Sequence, residues 1–163
     1  MKSFYLKAAD FVQNRLPSCE YFHALSVAHY VQKRMISDGW NSSTVNFVSG
    51  LAMLHDYLEY HGVNLVNESP ALKEFLNRQS QTLEKFGFSV RDAEEILERL
   101  TRRQDEEYSI YIQRCILDCA FIKNAKYAYI IKQADMKDHF FREETLTNAL
   151  RQKYEPHLKY FLE

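Results

Sequence analysis

The chain has 163 residues, a formal net charge of −1 and a hydrophobic share of 46%. This length suits a single domain spanning residues 1–163, and the hydrophobic share is sufficient for a buried core, which argues against intrinsic disorder. The near-neutral charge argues against a protein that coats nucleic acid. It is compatible with a local basic pocket for a phosphorylated small molecule.

Composition also excludes an obvious membrane or secreted class. The N-terminal sequence MKSFYLKAADF carries charges too early for a signal peptide, and no apolar run approaches the ~18 residues that a membrane span needs. The three cysteines form no paired spacing typical of a metal site, which favours a reducing compartment. We therefore expect a cytoplasmic protein without a membrane partner.

Helix-forming residues dominate the chain. Only four glycines and three prolines interrupt it, and the intervals are rich in Leu, Glu, Lys, Gln and Arg, which favour long helices. Apolar residues at helical spacing predict an all-α bundle of seven or eight helices around one core, with a loop at 63–70 and a bend near Pro156. The predicted helical segments are 3–15, 24–37, 44–60, 70–78, 80–86, 90–102, 106–119, 124–138 and 144–162.

An ionisable pair, His55-Asp56, follows the apolar run 51–54 near the end of the third predicted helix. Such a pair costs desolvation free energy unless it is compensated. A divalent cation compensates both groups, because it pairs with the carboxylate and accepts the imidazole lone pair. On a continuous helix Glu59 would share their face, at about 5–6 Å between Cβ atoms. We therefore predict that Glu59 orients or deprotonates an attacking water.

Two further ionisable residues stand in apolar surroundings. His23 opens the second predicted helix, and Asp135 follows the apolar stretch 127–131. With His55 and Asp56 they would supply two imidazoles and two carboxylates from three helices. This mixed set suits manganese, iron or zinc better than calcium or magnesium. Each residue taken singly would more often be a hydrogen-bonded core residue, and only their joint order indicates a site.

That order resembles the HD superfamily of metal-dependent phosphohydrolases. It is most similar to the hydrolase domains of the RelA/SpoT type, which remove the 3′-pyrophosphate from guanosine tetra- and pentaphosphate. Their ligand segments resemble Tyr-x-x-His-Pro-x-x-Val-Ala, Ala-x-Leu-Leu-His-Asp-x-x-Glu-Asp-x-Gly and Val-Lys-Leu-Ala-Asp-x-x-x-Asn. The corresponding segments here are 21–28, 51–62 and 131–139, and segments 96–101 and 107–114 are also similar. The resemblance spans about residues 4 to 140 in the same order.

The resemblance implies an HD domain that hydrolyses a phosphoester or pyrophosphate bond in a nucleotide. Guanosine tetraphosphate is the first choice of substrate and manganese the expected metal. An HD-type nucleoside 5′-monophosphatase is the alternative, since those enzymes carry the same ligand set, and a non-catalytic nucleotide-binding module is another. Tyr60 stands where the RelA/SpoT branch has an aspartate for proton transfer. We predict that the neighbouring His61 acts as the acid in its place.

Cationic side chains close to these segments are candidates for binding substrate phosphates, since phosphate recognition needs fixed cationic donors. Lys132 and Lys137 flank Asp135 in the sequence. Arg102 directly follows the similar segment 96–101, at the end of the predicted helix 90–102. We predict that these three cations contact the substrate.

Arg15 and His139 are expected to contact substrate from the resemblance, and Asp138 is considered because it lies three residues from Asp135 on one helix face. The segment before His23 lacks the basic loop with which the branch contacts substrate, and Arg15 is the nearest arginine to it. His139 takes the place of the asparagine of the branch and is predicted to contact substrate. Asp138 is predicted either to orient a metal ligand or to be solvated. The base specificity, the native metal and the oligomeric state stay open.

Overall fold

The structure, a computed structural model, describes residues 3–142 and 146–161. Within these residues all regular structure is helical, which confirms the predicted all-α bundle. None of the described helices is both long and apolar enough to cross a membrane. The α-helices are α1 Phe4–Gln13, α2 Ser18–Ser37, α3 Ser42–Leu54, α4 Tyr57–Tyr60, α5 Pro70–Arg78, α6 Ser80–Lys85, α7 Val90–Leu100, α8 Tyr108–Ile116, α9 Lys123–Phe141 and α10 Asn148–Tyr154, and Val66–Glu68 and Glu155–Tyr160 form 3₁₀ helices.

The centre of the bundle is α3, whose residues 47–54 are all buried. Helices α1 and α2 pack against it, and α9 packs against both α2 and α7. Gly50 allows the close approach of α1, since a Cβ atom at this position would lie 2.4 Å from the ring of Phe4. The apolar side chains of these five helices form one continuous core. This core fixes the relative positions of α2, α3 and α9, the helices that carry the predicted ligands.

The second helix begins earlier than predicted. It starts at Ser18, with Pro17 at the N-cap position, where the fixed φ of proline suits a helix start. His23 therefore lies inside α2 and not before its first residue. The predicted end of this helix is confirmed, because Gly39 follows it with a φ of +82°, a conformation that favours glycine.

The prediction of one continuous helix over residues 44–60 is wrong. α3 ends at Leu54, and α4 begins only at Tyr57. The ring of His55 explains the break, since its Nδ1 lies 2.6 Å from the carbonyl O of Ala52. A continued helix would use that carbonyl to accept the backbone N–H of Asp56. The imidazole and the backbone N–H of His55 thus both contact the acceptor that the next helical turn would use.

A second, smaller apolar cluster lies at the C-terminal side of the bundle. It joins α8 and α9 to α10 and the last 3₁₀ helix through Tyr111, Met136, Tyr154 and Phe161. The predicted helix 144–162 is divided here, because α10 ends at Tyr154 and a 3₁₀ helix follows around Pro156. The interruption expected at this proline is confirmed. Positions 144, 145 and 162 of that prediction lie outside the described residues.

Candidate metal centre

Five polar side chains from α2, the α3–α4 junction and α9 converge at one point. Asp135 Oδ1 lies 3.0 Å from His23 Nε2 and 3.7 Å from His55 Nε2. Asp56 Oδ2 lies 3.1 Å from His55 Nε2 and 3.5 Å from His23 Nε2. His139 Nε2 lies 3.2 Å from Asp135 Oδ1. The structure thus brings together the four residues predicted as metal ligands and adds His139 to them. We call these five residues the His/Asp cluster.

The tautomer of His55 is set by its backbone contact. Its Nδ1 is placed to donate to the carbonyl O of Ala52 at 2.6 Å, so in the neutral ring the lone pair is on Nε2. This Nε2 is buried and makes no hydrogen bond to any described group, although it lies 3.1 Å from Asp56 Oδ2. A buried polar atom without a partner is costly. A cation between the imidazole and the carboxylate would satisfy it.

His23 is held in the same way by a carboxylate. Its Nδ1 lies 2.6 Å from Asp138 Oδ2, and the other oxygen of Asp138 accepts from Arg142 Nε at 3.1 Å. Asp138 is buried, so the solvated alternative considered for it is wrong. A carboxylate that fixes the far nitrogen of a ligating histidine is a common arrangement around protein metal ions. In the neutral ring of His23 the lone pair is then on Nε2, which faces Asp135 and Asp56.

Asp135 is oriented by a lysine on its own helix. Lys132 Nζ donates to Asp135 Oδ2 at 2.7 Å, and both side chains are buried. This ion pair leaves Oδ1 facing the histidines. Lys132 therefore acts on the position of Asp135, and it also lines the cavity described below.

Opposite charges in the cluster hold one another ionised. Burial alone would lower the pKa of His23, but hydrogen bonds to Asp135 and Asp138 outweigh it and raise that pKa to about 9. Burial opposes the charged form of His55 too, yet the charges of Asp56 and Asp135 raise its pKa well above the ordinary value. Without a cation these imidazoles hold protons at neutral pH. A metal ion would replace the protons.

The cluster is suited to a divalent metal ion. Two overlapping groups of donors each lie within 4.8 Å: His23, His55 and Asp56 form one, and His23, Asp135 and His139 form the other. Donors that share one ion at about 2.0–2.2 Å lie no more than about 4.4 Å apart, so small shifts would suffice. Mixed imidazole and carboxylate donors, together with a His55 Nε2 that makes no hydrogen bond among the described groups, fit a transition metal.

A cavity of about 240 Å³ opens beside the cluster. Its wall combines the cluster carboxylates with aromatic and cationic side chains from α8, α10 and the segment after α7. The lining residues are Glu20, Asp56, Glu59, Tyr60, Arg102, Tyr108, Tyr111, Lys132, Asp135, His139, Lys153 and Tyr154. A neighbouring depression of about 430 Å³ shares Glu59 and Arg102 with it. The two together offer the space of an ordinary small-molecule site.

Besides Lys132, the cavity wall carries the cations Arg102 and Lys153 outside the cluster. Arg102 Cζ lies 5.7 Å from the ring centroid of Tyr108, and Lys153 Nζ lies 4.8 Å from the same centroid. Partial burial, and then the charge of Arg102, lower the pKa of Lys153. Two like charges placed at one ring create a local potential that attracts anions. We call Arg102, Tyr108, Lys153 and Tyr154 the cationic wall.

Glu59 is an exposed residue that lines the cavity. Partial desolvation by the surrounding walls, and then the charge of Asp56, raise its pKa. Because α3 ends before His55, Glu59 does not share one helix face with the ligands as predicted. It still lines the same cavity as Asp56, within α4. A carboxylate with a raised pKa is a better proton acceptor than an ordinary one.

Three predicted residues do not line the cavity. His61 Nε2 lies 3.2 Å from the carbonyl O of Arg15, and its ring packs on Tyr57. The exposed Arg15 side chain donates to the carbonyl O of Phe11 and lies over the Phe11 ring. Lys137 borders a shallow depression with Tyr30 on the other side of α9, because a residue two positions after Asp135 faces away from it on a helix. Of the predicted substrate contacts, Lys132, Arg102 and His139 do line the cavity.

Sequence reasoning missed several lining residues. Glu20 lies one turn before His23 on α2, and a helix start placed at Ser18 would have put both on one face. Lys153 and Tyr154 come from α10, far along the chain, and no local pattern marks them. Comparison of the chain with models of protein families, with curated proteins and with solved structures finds no match.

Proposed function

We propose that this protein is a metal-dependent phosphohydrolase that cleaves a phosphoester or pyrophosphate bond in a nucleotide. The observation that carries the proposal is the juxtaposition of the His/Asp cluster with the cationic wall across one cavity. A cation site facing fixed positive side chains suits a phosphorylated substrate, whose charge both sides would neutralise. The resemblance of the ligand segments to HD phosphohydrolases points to the same chemistry.

Each part of the cavity has a role in this reaction. A bound divalent cation would polarise a phosphoryl oxygen and lower the pKa of an attacking water. The cluster residues hold the cation, with manganese as the first expectation and iron or zinc as alternatives. Glu59 accepts the proton of the attacking water, which its raised pKa favours. Arg102 and Lys153 bind the phosphate groups and stabilise the charge that develops on them.

Guanosine tetraphosphate is the first candidate substrate. Its two separate pyrophosphate groups call for cations at more than one place, and Arg102 borders both the cavity and the neighbouring depression. The depression, at about 430 Å³, leaves room for a nucleoside. Tyr108 lines the cavity and is half-buried, so a base could stack on its ring.

A nucleoside 5′-monophosphatase is the second candidate, and Tyr60 favours it. This residue lines the cavity with 51% of its surface exposed, at the place where the resemblance leads one to expect an aspartate. Among the described residues, two carboxylates line the cavity outside the cluster, those of Glu59 and Glu20. A monophosphatase and a pyrophosphohydrolase differ in the product released, so one assay separates them.

The test is a panel of nucleotides incubated with the protein and Mn²⁺, scored for phosphate against pyrophosphate. We expect pyrophosphate release from guanosine tetraphosphate, and phosphate release from nucleoside monophosphates if the second candidate is correct. His55→Ala should abolish the activity, whereas His29→Ala, which alters an exposed histidine of α2 outside the cavity, should retain it.

Two results of that panel would count against hydrolysis. Turnover of no nucleotide by a protein that contains the metal would reject the enzyme and favour a non-catalytic nucleotide-binding module. If the Tyr60→Asp variant then releases pyrophosphate, the natural protein is a repurposed member of the pyrophosphohydrolase group. Equal activity in His55→Ala and the unaltered protein would show that the turnover comes from elsewhere.

A further inference from the structure

We propose that His139 is a further protein ligand of the metal, and that it raises the affinity for metals that prefer nitrogen donors, such as cobalt, more than the affinity for manganese. It rests on the proposed function only in assuming that the His/Asp cluster binds a divalent cation. The sequence alone suggested a different role for this residue, that of a substrate contact. The geometry of α9 and α10 points instead to the metal.

The first argument is the direction of the imidazole. His139 lies one turn after Asp135 on α9, and its Nε2 is 3.2 Å from Asp135 Oδ1. The same oxygen lies 3.0 Å from His23 Nε2. Three ring nitrogens, counting that of His55 at 3.7 Å, therefore surround one carboxylate oxygen. An imidazole that faces the cluster in this way does not offer the same nitrogen to a substrate.

The second argument is spacing. The donor atoms of His23, Asp135 and His139 all lie within 4.8 Å of one another, as do those of His23, His55 and Asp56. His23 belongs to both groups. Since donors around one ion lie up to about 4.4 Å apart, small shifts would let one ion bind His23, Asp135 and His139 together.

The third argument is that His139 is held in place. Its ring stacks on Tyr154, with centroids 4.9 Å apart and an interplanar angle of 22°, and lies 4.6 Å from the ring of His23. Tyr154 is buried and belongs to α10. A ring packed between two others loses little further freedom when it binds a metal, so its lone pair is preorganised.

The consequence is a change in metal preference. Replacing an oxygen or water ligand by an imidazole raises affinity for divalent metals in the order from manganese through iron to cobalt and beyond. A site with three imidazoles should therefore discriminate against Mn²⁺ more strongly than one with two. The competing explanation is that His139 only donates a hydrogen bond to Asp135 and orients it.

The test compares Co²⁺ and Mn²⁺ binding in His139→Asn with the unaltered protein. Asparagine can still donate to Asp135 but removes the imidazole donor. We expect Co²⁺ affinity to fall about tenfold or more, Mn²⁺ affinity to fall less, and the visible spectrum of bound Co²⁺ to change. His29→Asn serves as the matched control and should change neither affinity nor spectrum. Circular dichroism checks that each variant is folded.

Three results would overturn the inference. One is an unchanged Co²⁺ affinity and spectrum in His139→Asn, which would leave the orienting role. Another is an equal loss for both metals, which would remove the claim of selection. The third is that the unaltered protein binds neither metal. Because no readout uses hydrolysis, a protein that binds Co²⁺ through His139 but cleaves no nucleotide would reject the proposed function and retain this inference.

Discussion

The two sides of the cavity differ in how firmly the fold holds them. The His/Asp cluster comes from α2, the α3–α4 junction and α9, all anchored in the main core. Each buried member has a second group that fixes it: Ala52 for His55, Asp138 for His23 and Lys132 for Asp135. The cationic wall rests on the smaller C-terminal cluster, and its two cations are partly exposed.

This difference separates two properties of the protein. Preorganised, buried donors should determine whether a metal binds at all. Partly exposed cations on a separate support should determine how well a phosphorylated ligand binds, since solvent weakens each charge. Changes to one side should therefore leave the property of the other side nearly intact, and variants can be chosen to test that separation.

The largest effect is expected for His55→Ala. The substitution removes a ligand whose Nε2 makes no hydrogen bond among the described groups, so metal affinity should fall by more than about 100-fold. Metal content and a titration with Mn²⁺ measure this directly. Circular dichroism controls for folding, and Asp56→Asn provides a second variant on the same junction. Retention of normal metal affinity in both variants would contradict the assignment of this junction to the site.

The second largest effect is expected from pH, on which metal affinity should depend strongly. The pKa of His23 is raised to about 9, since its hydrogen bonds to Asp135 and Asp138 outweigh burial. Below this pH a proton competes with the metal for Nε2, so affinity should increase about tenfold per pH unit for each proton displaced. His55 adds a second such proton. Measuring the metal affinity at several pH values between 6.5 and 8.5 tests whether it increases with pH. An affinity independent of pH would be inconsistent with proton displacement.

A smaller loss is expected for Asp138→Asn. The amide oxygen can still accept from His23 Nδ1, but it lacks the charge that makes the imidazole a stronger donor to a metal. Mn²⁺ affinity should fall about tenfold while the helical content is unchanged. Isothermal titration calorimetry measures the affinity. An effect as large as that of His55→Ala would indicate that the structure, and not only the orientation of His23, has been lost.

The smallest effect tests the cationic wall. Lys153→Gln removes a cation beside Tyr108, and the KM of the preferred nucleotide should rise about fivefold, as expected for a partly exposed charge. Metal affinity should not change. Lys159→Gln, on the exposed part of the following 3₁₀ helix, is the matched control. If Lys153→Gln lowered metal affinity, the two sides of the cavity would not be separable.

The sequence predicted the cluster better than the wall, for a physical reason. His55, Asp56 and Asp135 interrupt apolar runs, and a charge inside such a run needs a partner. Their joint order along the chain then predicted one site without knowledge of contacts. Helix spacing also predicted the all-α bundle, because the apolar stripes are repeated in nearly every segment.

What the sequence did not predict depends on tertiary contacts. The helix break after Leu54 arises from the ring of His55 contacting the Ala52 carbonyl, which no propensity scale includes. Lys153 and Tyr154 reach the cavity only because α10 packs on the second apolar cluster. His61 and Arg15 were expected at the cavity from their neighbours in the sequence, but they contact each other at the other end of α4.

The central claim is that the His/Asp cluster is a metal site, and metal stoichiometry tests it most directly. The purified protein, freed of metal by a chelator and dialysed, is titrated with Mn²⁺ and with Co²⁺ at pH 8. We expect saturation at one ion per chain, and no saturable binding by His55→Ala under the same conditions. Failure of the unaltered protein to bind either metal, or equal binding by His55→Ala, would contradict the account.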